Sequence, residues 1–390
     1  MRILQIPNYQ YPNIGGIEQT SRDISNILST IPNVEHKTIC FNEDACDGEY
    51  VCRRKETIVD IVDDYEVTRC GCIAKVASQS ISLTYPKELF RLIKNFKPDI
   101  VIFHYPNPFV ASFLLPMLPK FCKFIVYWHL DIVKQKLLGK LFKIQNERIC
   151  KRADNIIATS PNYVEGSMFL SKYKEKVTVI PSCIRPEKMP ITDVTRKKYA
   201  QIIKENNGKT ICFAIGRHVP YKGMEYLVKA SKLLDDSYSI LIGGKGELTK
   251  ELKELAKDDK KVTFLGRVPD DEMVAYYKAC DIFCFPSITK NEAFGLSLAE
   301  AMYFGKPAIT FNIPGSGVNY VSIDKETGVE CPNGDYSAFA NAIKELAGND
   351  DLRNKYGRNA ESRSKSKFLF DEFKENITDF LNKNYIEENL

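Results

Sequence analysis

Short apolar runs alternate with longer amphipathic stretches along almost the whole chain, and this alternation is the feature that most restricts its fold. Residues 3–6 and 100–104 have the length of buried strands, whereas residues 19–29 and 86–96 show helical periodicity. Apolar strands separated by helices are typical of parallel sheets that are covered on both faces. The sequence therefore predicts an α/β protein built from doubly wound, Rossmann-like sheets.

The same pattern predicts the remaining elements. In the first half it indicates strands at 124–128 and 155–159 and a helix at 137–151. Residues 41–80 depart from it, and we interpret 51–53 and 66–69 as short strands that elaborate the first domain. Later strands are predicted at 210–215, 238–242, 262–265, 282–285 and 308–311. Helices are predicted at 224–233, 248–256, 270–279 and 296–304, and only helices after residue 311.

The chain has 390 residues, which is more than one typical core accommodates. Prolines and many basic residues after residue 181 are typical of a linker. We predict Rossmann-like domains at 1–185 and 209–367, a linker at 186–208 and a C-terminal helix at 368–390. Whether this last helix crosses back to the first domain is left open by the sequence. Ligands of such folds bind at the carboxyl ends of strands, and two facing domains favour a site in the cleft between them.

Composition narrows the functional class. The net charge of +5 is too small and too dispersed for a typical nucleic-acid binder, and no apolar run approaches the roughly 20 residues of a membrane span. The twelve cysteines lack the spacing of a metal site, so we expect reduced thiols in a cytoplasmic protein.

Two features at predicted strand ends point to a phosphate-bearing ligand. Gly15 and Gly16 open the first long helix, where close backbone approach and the helix N-terminus favour an anion, although a simple tight turn would explain them equally well. Arg217 and Lys222 follow the strand at 210–215 and can face one pyrophosphate, as a planar fork and a point charge. The alternative is a pair of solvated surface charges.

Two further features carry carboxylates and histidines. Glu292 precedes a predicted helix that contains Glu300, so the two acids could meet a sugar hydroxyl and a ribose hydroxyl. A capping acid and a surface acid are the alternative. His129 follows the strand at 124–128, and His104 ends the neighbouring strand, a placement that favours a ligand contact over a purely structural role.

Taken in order, these motifs resemble those of the retaining family 4 glycosyltransferases with the GT-B fold, over nearly the whole chain. Glu292 and Glu300, with seven residues between them, resemble the paired-glutamate motif of that family. Gly216-Arg217 with Lys222-Gly223 resembles its diphosphate clamp. Gly15-Gly16 and the strand end 180–182 also match, whereas His218 and the glycine loop at 243–246 depart from the family pattern.

The resemblance implies roles for individual residues. Glu292 would contact the transferred sugar, Glu300 the ribose, and His129 a sugar hydroxyl. The implied catalytic set is Glu292, His129, Arg217 and Lys222, and the implied acceptor-side set is His104, Tyr105 and Asp131. The implied donor-binding set is Gly15, Gly16, Arg217, Lys222, Arg267, Val268, Glu292, Ala293, Phe294, Gly295, Leu296 and Glu300.

The resemblance also suggests a reaction. Residues 128–136 are similar to bacterial enzymes of capsule or O-antigen synthesis, which implies transfer of mannose or another hexosyl or N-acetylhexosaminyl group from a UDP- or GDP-sugar to a glycan or lipid-linked acceptor. We expect no cofactor and no metal. The chain has no Asp-x-Asp motif, and Arg217 and Lys222 can supply the positive field.

Residues 134–152 and, similarly, 86–97 combine basic with apolar side chains, which predicts helices able to lie on an anionic membrane. Packing against the sheet with a solvated basic face explains the pattern equally well. A cytoplasmic protein with peripheral attachment to the inner face of the cell membrane is therefore one option.

Two other functions remain compatible with the sequence. A nucleotide-sugar epimerase on the same fold would also grip a diphosphate, although the Glu292 and Glu300 motif favours transfer. A non-catalytic nucleotide-sugar-binding protein is the second, and the presence of Arg217 and Lys222 together with Glu292 argues against it.

Overall fold

The computed structural model describes residues 1–13, 15–43, 50–76, 79–132 and 139–386. Within them the chain forms two compact units. The first contains Met1–Thr159, Val164–Ile180 and Phe373–Leu390, and the second contains Ser160–Tyr163 and Pro181–Glu372. Each unit is an α/β structure around its own, mainly parallel sheet.

The first unit contains an eight-stranded sheet and a small hairpin. Its strands are β1 (Arg2–Ile6), β2 (Glu35–Asn42), β3 (Ile58–Val62), β4 (Tyr65–Gly71), β5 (Ala74–Val76), β6 (Gln79–Ile81), β7 (Ile100–Tyr105), β8 (Lys123–Trp128), β9 (Asn155–Ala158) and β10 (Val177–Val179). The order across the large sheet is β10-β9-β8-β7-β1-β2-β4-β3, and only β3 runs antiparallel to its neighbour. β5 and β6 form the separate hairpin.

The described residues of the first unit include four helices, and the sequence predicted all of these except the one at Pro108–Met117. They are α1 (Gly16–Thr30), α2 (Tyr85–Phe96), α3 (Pro108–Met117) and α4 (Gly139–Arg152). Two further helices have residues in both units, α5 (Pro161–Gly166) and α14 (Phe370–Leu381). The central strands β7 and β8 are buried almost throughout, which explains why their sequences are continuous apolar runs.

The second unit has a six-stranded, wholly parallel sheet in the order β13-β12-β11-β14-β15-β16. Its strands are β11 (Thr210–Ile215), β12 (Tyr238–Gly243), β13 (Val262–Gly266), β14 (Ile282–Phe285), β15 (Ala308–Phe311) and β16 (Gly328–Cys331). Its helices are α6 (Asp193–Glu205), α7 (Met224–Ser231), α8 (Thr249–Leu255), α9 (Asp270–Ala279), α10 (Leu296–Tyr303), α11 (Val318–Val321), α12 (Tyr336–Gly348) and α13 (Asp350–Lys367). The order turns back at β11 and β14, the place where ligands bind in open sheets of this kind.

Three sequence predictions differ from the structure. Residues 51–53 are not a strand, because the Asn42 side chain donates hydrogen bonds to the carbonyl oxygens of Arg53 (3.0 Å) and Glu56 (3.3 Å) and holds this segment as a turn. The chain after residue 311 is not only helical, since β16 pairs with β15. β16 is short, and its central Glu330 hides the apolar pattern.

The stretch 186–208, predicted as a linker, is also ordered differently. Most of it is α6, whose N-terminus is capped by Thr192 through a reciprocal hydrogen-bond pair with Thr195. α6 packs on α9, with Lys198 Nζ 2.9 Å from Glu272 Oε2, and it belongs to the second unit. The prolines at 186 and 190 lie in the short segment before this helix and do not belong to a long extended linker.

A buried arginine organises the segment that leads from β1 to α1. Arg69 on β4 is 2% exposed, and its Nε donates to Asp60 at 3.0 Å. Its guanidinium also donates to the carbonyl oxygens of Gln10 and Tyr11. A buried cation that is fully engaged in this way fixes backbone more firmly than apolar packing would, because its loss would leave carbonyl groups unpaired.

None of the eleven cysteines within the described residues forms a disulfide, and most are buried. None of the helices in that part of the chain combines the length and the apolar character that crossing a bilayer would require.

Candidate active site

The carboxyl ends of β11, β12 and β13 lie side by side and form the base of the candidate site. The amide of Gly216 donates to the carbonyl oxygen of Gly243 (3.2 Å), and the amide of Gly244 donates to that of Gly266 (2.6 Å). A Cβ at Gly244, where φ is +110°, would lie 1.9 Å from the carbonyl oxygen of Gly216. Glycine is therefore required here for the turn after β11 to rest on the loop after β12.

Arg217 and Lys222 occupy the turn that this contact holds in place. The Nη2 atom of Arg217 donates to the hydroxyl of Tyr221 at 3.3 Å. Lys222 ends a single helical turn and is followed by Gly223, at φ +61°, whose Cβ would lie 2.1 Å from the carbonyl oxygen of Pro286. The turn is thus seated against the end of β14, and both predicted cations lie at the carboxyl edge of the sheet.

Glu292 forms an ion pair with Lys222, so the structure brings together two of the residues that the sequence singled out. The side chains of Lys222 and Glu292 are only 14% and 12% exposed. Glu292 Oε2 also accepts a hydrogen bond from Ser287 (3.1 Å), and the carbonyl oxygen of Glu292 accepts one from Ser316 (2.5 Å). A partly buried carboxylate needs such partners, because isolated burial of its charge is costly.

The residues after Glu292 lead into α10. Phe294 is buried against Phe368, with ring centroids 5.3 Å apart. Gly295 adopts φ +97° and directly precedes the helix, whose first residue is Leu296. The carbonyl oxygen of Ala293 lies so close to Gly317 that a Cβ there would be 1.9 Å away. The start of the helix and its unpaired amides are therefore fixed by backbone contacts.

Glu300 lies on α10 and accepts a hydrogen bond from the hydroxyl of Tyr277 at 2.7 Å. Burial raises the pKa of the Glu300 carboxyl, and the Tyr277 hydroxyl opposes this shift. The residues predicted to edge a base lie after β13, where Arg267 is exposed and Val268 is buried. Gly243 faces Val268, since a Cβ at Gly243 would be 3.0 Å from Val268 Cγ2.

In the first unit, Gly15 and Gly16 stand at the beginning of α1, as the sequence indicates. Gly15 is extended, with φ 177°, and a Cβ there would lie 2.2 Å from Glu18 Oε2. The carboxylate is the far end of a flexible side chain that can move aside, so neither this contact nor the extended backbone requires glycine at position 15.

The two histidines of the first unit form a direct pair. His104 Nδ1 lies 2.9 Å from His129 Nε2, and Tyr127 covers both rings. His104 has no exposed surface, whereas His129 is 5% exposed. Burial lowers the pKa of His104 to about 3 and holds that of His129 well below its ordinary value, so both rings are neutral near pH 7.

Three residues predicted on the acceptor side are buried in the first unit. Besides His104, Tyr105 is fully buried and stacks on Trp128 with centroids 3.8 Å apart. Asp131 is 3% exposed and accepts hydrogen bonds from Trp128 Nε1 and Ser167 Oγ, both at 2.9 Å. Because these side chains present almost no surface to a ligand, we revise their predicted role from acceptor contact to support of the neighbouring strand ends.

Three supporting residues escaped the sequence analysis. Ser287 and Ser316 hold Glu292, and Tyr277 holds Glu300. Ser316 lies between two glycines directly beyond β15, a pattern that could have marked it as part of a strand-end turn. Tyr277 lies inside an ordinary helical pattern and gave no signal. Within the described residues, no group of three or more His, Cys, Asp or Glu side chains is arranged to hold a metal ion.

Comparison with known proteins adds independent information. Residues 195–363 match the family model described as Glycosyl transferases group 1, and residues 14–188 match Glycosyltransferase Family 4. The chain is 31% identical to O-antigen chain mannosyltransferase C of Escherichia coli over 95% of both chains. It is 33% identical to D-rhamnosyltransferase WbpZ of Pseudomonas aeruginosa over 77% of both chains.

A solved structure gives the corresponding comparison of folds. HepE from Anabaena, crystallised with UDP-glucose, superposes with a TM-score of 0.75 over 98% of this chain and 100% of its own, at 15% identity. At that identity the likeness concerns the fold, which is GT-B, with Rossmann-like parallel-sheet domains. The predicted fold class is thereby confirmed.

The close contact at Gly244 leads to a stability prediction. Gly208 serves as the control, because its φ is +75° but a Cβ there would meet no atom within 4 Å. Gly208→Ala should therefore lose only the stability that a left-handed backbone costs alanine, about 1–2 kcal/mol. Alanine at position 244 adds the collision with Gly216 and should cost about 1–3 kcal/mol more. We expect Gly244→Ala to lower the thermal midpoint clearly further than Gly208→Ala. Equal midpoints for the two variants would contradict the close packing of these strand ends.

Proposed function

The chain belongs to the family 4 glycosyltransferases, and from this premise we propose that it transfers a hexosyl group from a nucleoside-diphosphate sugar to a glycan or lipid-linked acceptor. We propose further that this transfer serves surface-polysaccharide synthesis and retains the anomeric configuration of the donor. The observation that carries this proposal is the joint placement of Arg217, Lys222 and Glu292 at the carboxyl edge of the second sheet. Relatives named as an O-antigen mannosyltransferase and a D-rhamnosyltransferase favour a mannosyl or related hexosyl donor.

In the proposed donor complex, Arg217 and Lys222 bind the diphosphate. Without a ligand, Lys222 is neutralised by Glu292, so a donor phosphate would replace a carboxylate as its partner. Glu292 would then be released from Lys222, remain hydrogen-bonded to Ser287 and accept a bond from a sugar hydroxyl. This exchange leaves Lys222 with an anionic partner and Glu292 with hydrogen-bond donors in each state, which limits the desolvation cost of binding.

The remaining donor contacts follow the same edge. The amides of Phe294, Gly295 and Leu296 at the start of α10 would face the sugar and phosphate, where a helix N-terminus favours negative charge. Glu300, held by Tyr277, would accept bonds from the ribose, and the backbone at Arg267 and Val268 would border the base. Gly15, Gly16 and His129 are the contributions proposed for the first unit.

The proposed reaction forms a bond between the acceptor oxygen and the anomeric carbon and breaks the bond between that carbon and the diphosphate oxygen. The acceptor attacks from the face that the diphosphate leaves, and its proton passes to the leaving phosphate. Arg217 and Lys222 stabilise the charge that builds on the diphosphate, which is the part of the reaction that preorganised cations accelerate most. Neither step requires a metal ion or a cofactor.

The direct test is a transfer assay with purified protein in buffer containing EDTA. A thermal-shift panel of UDP-, GDP- and ADP-sugars would first select the donor, since a ligand raises the apparent stability of the protein that binds it. We expect product whose anomeric configuration, read by NMR, equals that of the donor. Loss of activity on chelation would contradict metal independence, and an inverted product would contradict retention.

Variants of the clamp separate transfer from the alternatives. Arg217→Ala and Lys222→Ala should each lower the rate about 100- to 1000-fold, because each removes a donor to developing charge. Lys250→Ala, an exposed lysine on α8, serves as the matched control and should leave the rate unchanged. A loss of tenfold or less in both clamp variants would overturn the clamp. Isomerisation of the nucleotide-sugar without an acceptor would favour an epimerase.

A lipid-linked acceptor would place the protein at a membrane, and α4 is the proposed contact. Residues 134–138 of the predicted basic helix at 134–152 lie outside the described residues, so the argument rests on the later part. There Ile144 is 51% exposed beside exposed Lys143, Arg148 and Lys151. Exposed apolar and basic groups on one helix fit the interface of an anionic bilayer.

Liposome co-sedimentation tests this contact. The protein should sediment with vesicles that contain anionic lipid and remain in solution with neutral vesicles, because each basic side chain near the surface contributes about 1 kcal/mol. The double variant Arg148→Glu and Lys151→Glu should lose binding, whereas Lys257→Glu, at a 66% exposed lysine of the second unit, should not. Equal sedimentation with both vesicle types would contradict the proposal.

A further inference from the structure

The contact between His104 and His129 has the geometry of a hydrogen bond within the plane of both rings. His104 lies in β7, and His129 follows β8, the neighbouring strand. The ring planes are inclined by 16°, and the centroids are 5.2 Å apart, with 2.9 Å between His104 Nδ1 and His129 Nε2. The rings therefore meet edge to edge, along the direction in which an imidazole N–H donates and an imidazole lone pair accepts.

Only one proton occupies this contact. Both rings are neutral at ordinary pH, because burial lowers the pKa of each. A neutral imidazole carries one N–H donor and one acceptor nitrogen. Either His104 donates from Nδ1 and His129 accepts at Nε2, or His129 donates from Nε2 and His104 accepts at Nδ1.

The surroundings of His104 distinguish these arrangements. His104 is fully buried, and its Nε2 atom has no hydrogen-bond partner among the described residues. If His129 were the donor, the proton of His104 would be on Nε2 and would form a buried N–H without an acceptor. If His104 is the donor, Nε2 is only an unpaired acceptor. Buried N–H groups without a partner are rarer than unsatisfied acceptors, which favours His104 as the donor.

We infer that His104 is a positioning residue that holds His129 in the tautomer protonated on Nδ1. His129 then offers a ligand an N–H donor and has no free lone pair with which to take a proton. Its role in transfer, which rests on the proposed function, is to donate a hydrogen bond to an oxygen of the donor sugar. It does not act as the general base, in agreement with passage of the acceptor proton to the leaving phosphate.

The tautomer can be measured on the unmodified protein. Long-range proton–nitrogen correlation NMR of protein labelled with ¹⁵N-histidine distinguishes Nδ1–H from Nε2–H in each ring, and the chain has only four histidines to assign. We expect His104 and His129 both to carry the proton on Nδ1. A proton on Nε2 of His129, or rapid averaging over its two nitrogens, would overturn the inference.

Variants at position 104 connect the tautomer with function. His104→Phe keeps an aromatic ring but removes the donor, so His129 should populate both tautomers, and the KM for the donor should rise about 3- to 10-fold with a smaller change in kcat. His104→Asn restores an N–H close to the position of Nδ1 and should largely recover both readouts. If His104→Phe leaves the tautomer and KM unchanged, His104 is not the positioning residue.

His36→Phe is the matched control for the loss of a buried histidine. His36 is a buried histidine of the same unit, and burial lowers its pKa to about 4, but its aromatic neighbour is Tyr65 rather than the histidine pair. The His36→Phe variant should leave the tautomer of His129 and the KM for the donor unchanged. If neither the unmodified protein nor any variant turns over a nucleotide-sugar, the proposed function is wrong. The NMR measurement would still test the tautomer of His129 independently.

Discussion

A side chain at position 244 would place its Cβ 1.9 Å from the carbonyl oxygen of Gly216, so the turn after β11 can rest on the loop after β12 only when that loop is made of glycine. The same loop uses Gly246, where a Cβ would be 2.4 Å from the carbonyl oxygen of His218. These contacts surround Arg217 on both sides in the chain. The backbone position of Arg217 is thus set by packing that reorganises little when a charged ligand arrives, while its exposed guanidinium is held by the hydroxyl of Tyr221.

The ion pair between Lys222 and Glu292 gives the site its second property. Both side chains are mostly buried, and each neutralises the other while Ser287 holds the carboxylate. A ligand that brings negative charge toward Lys222 and a hydroxyl toward Glu292 can replace this pair without leaving either group unpaired. A nucleoside-diphosphate sugar has both groups at adjoining positions, and this chemical match is the reason that we propose it as the donor.

The sequence predicted much of this arrangement because the information was local. The bounds of β11, β14, β15 and α9 agree with the predictions, since continuous apolar runs and helical periodicity specify such elements directly. Arg217, Lys222 and Glu292 could be proposed because they stand at strand ends in a recognisable order. The helix α6 was missed because its charges and the prolines that precede it imitate a linker, and its packing on α9 depends on a partner distant in sequence.

The supporting contacts could not be predicted, for the same physical reason. Ser316 reaches the carbonyl oxygen of Glu292 across 24 residues of chain, and Tyr277 reaches Glu300 from another helix. The burial of Tyr105 and Asp131 likewise depends on Trp128 and Ser167, which no local pattern connects to a ligand site. Sequence motifs indicated which groups carry the chemistry, whereas tertiary packing decided which of them face a ligand.

The central claim is that Lys222 leaves Glu292 to bind a diphosphate, and calorimetric titration of a nucleoside diphosphate against its monophosphate tests it most directly. With the base that the protein prefers, the diphosphate should bind at least about tenfold more tightly to the unmodified protein, because it adds a charged phosphate to the reach of Lys222. Lys222→Met should remove most of that difference. Equal affinities of the unmodified protein for the two nucleotides would contradict the account.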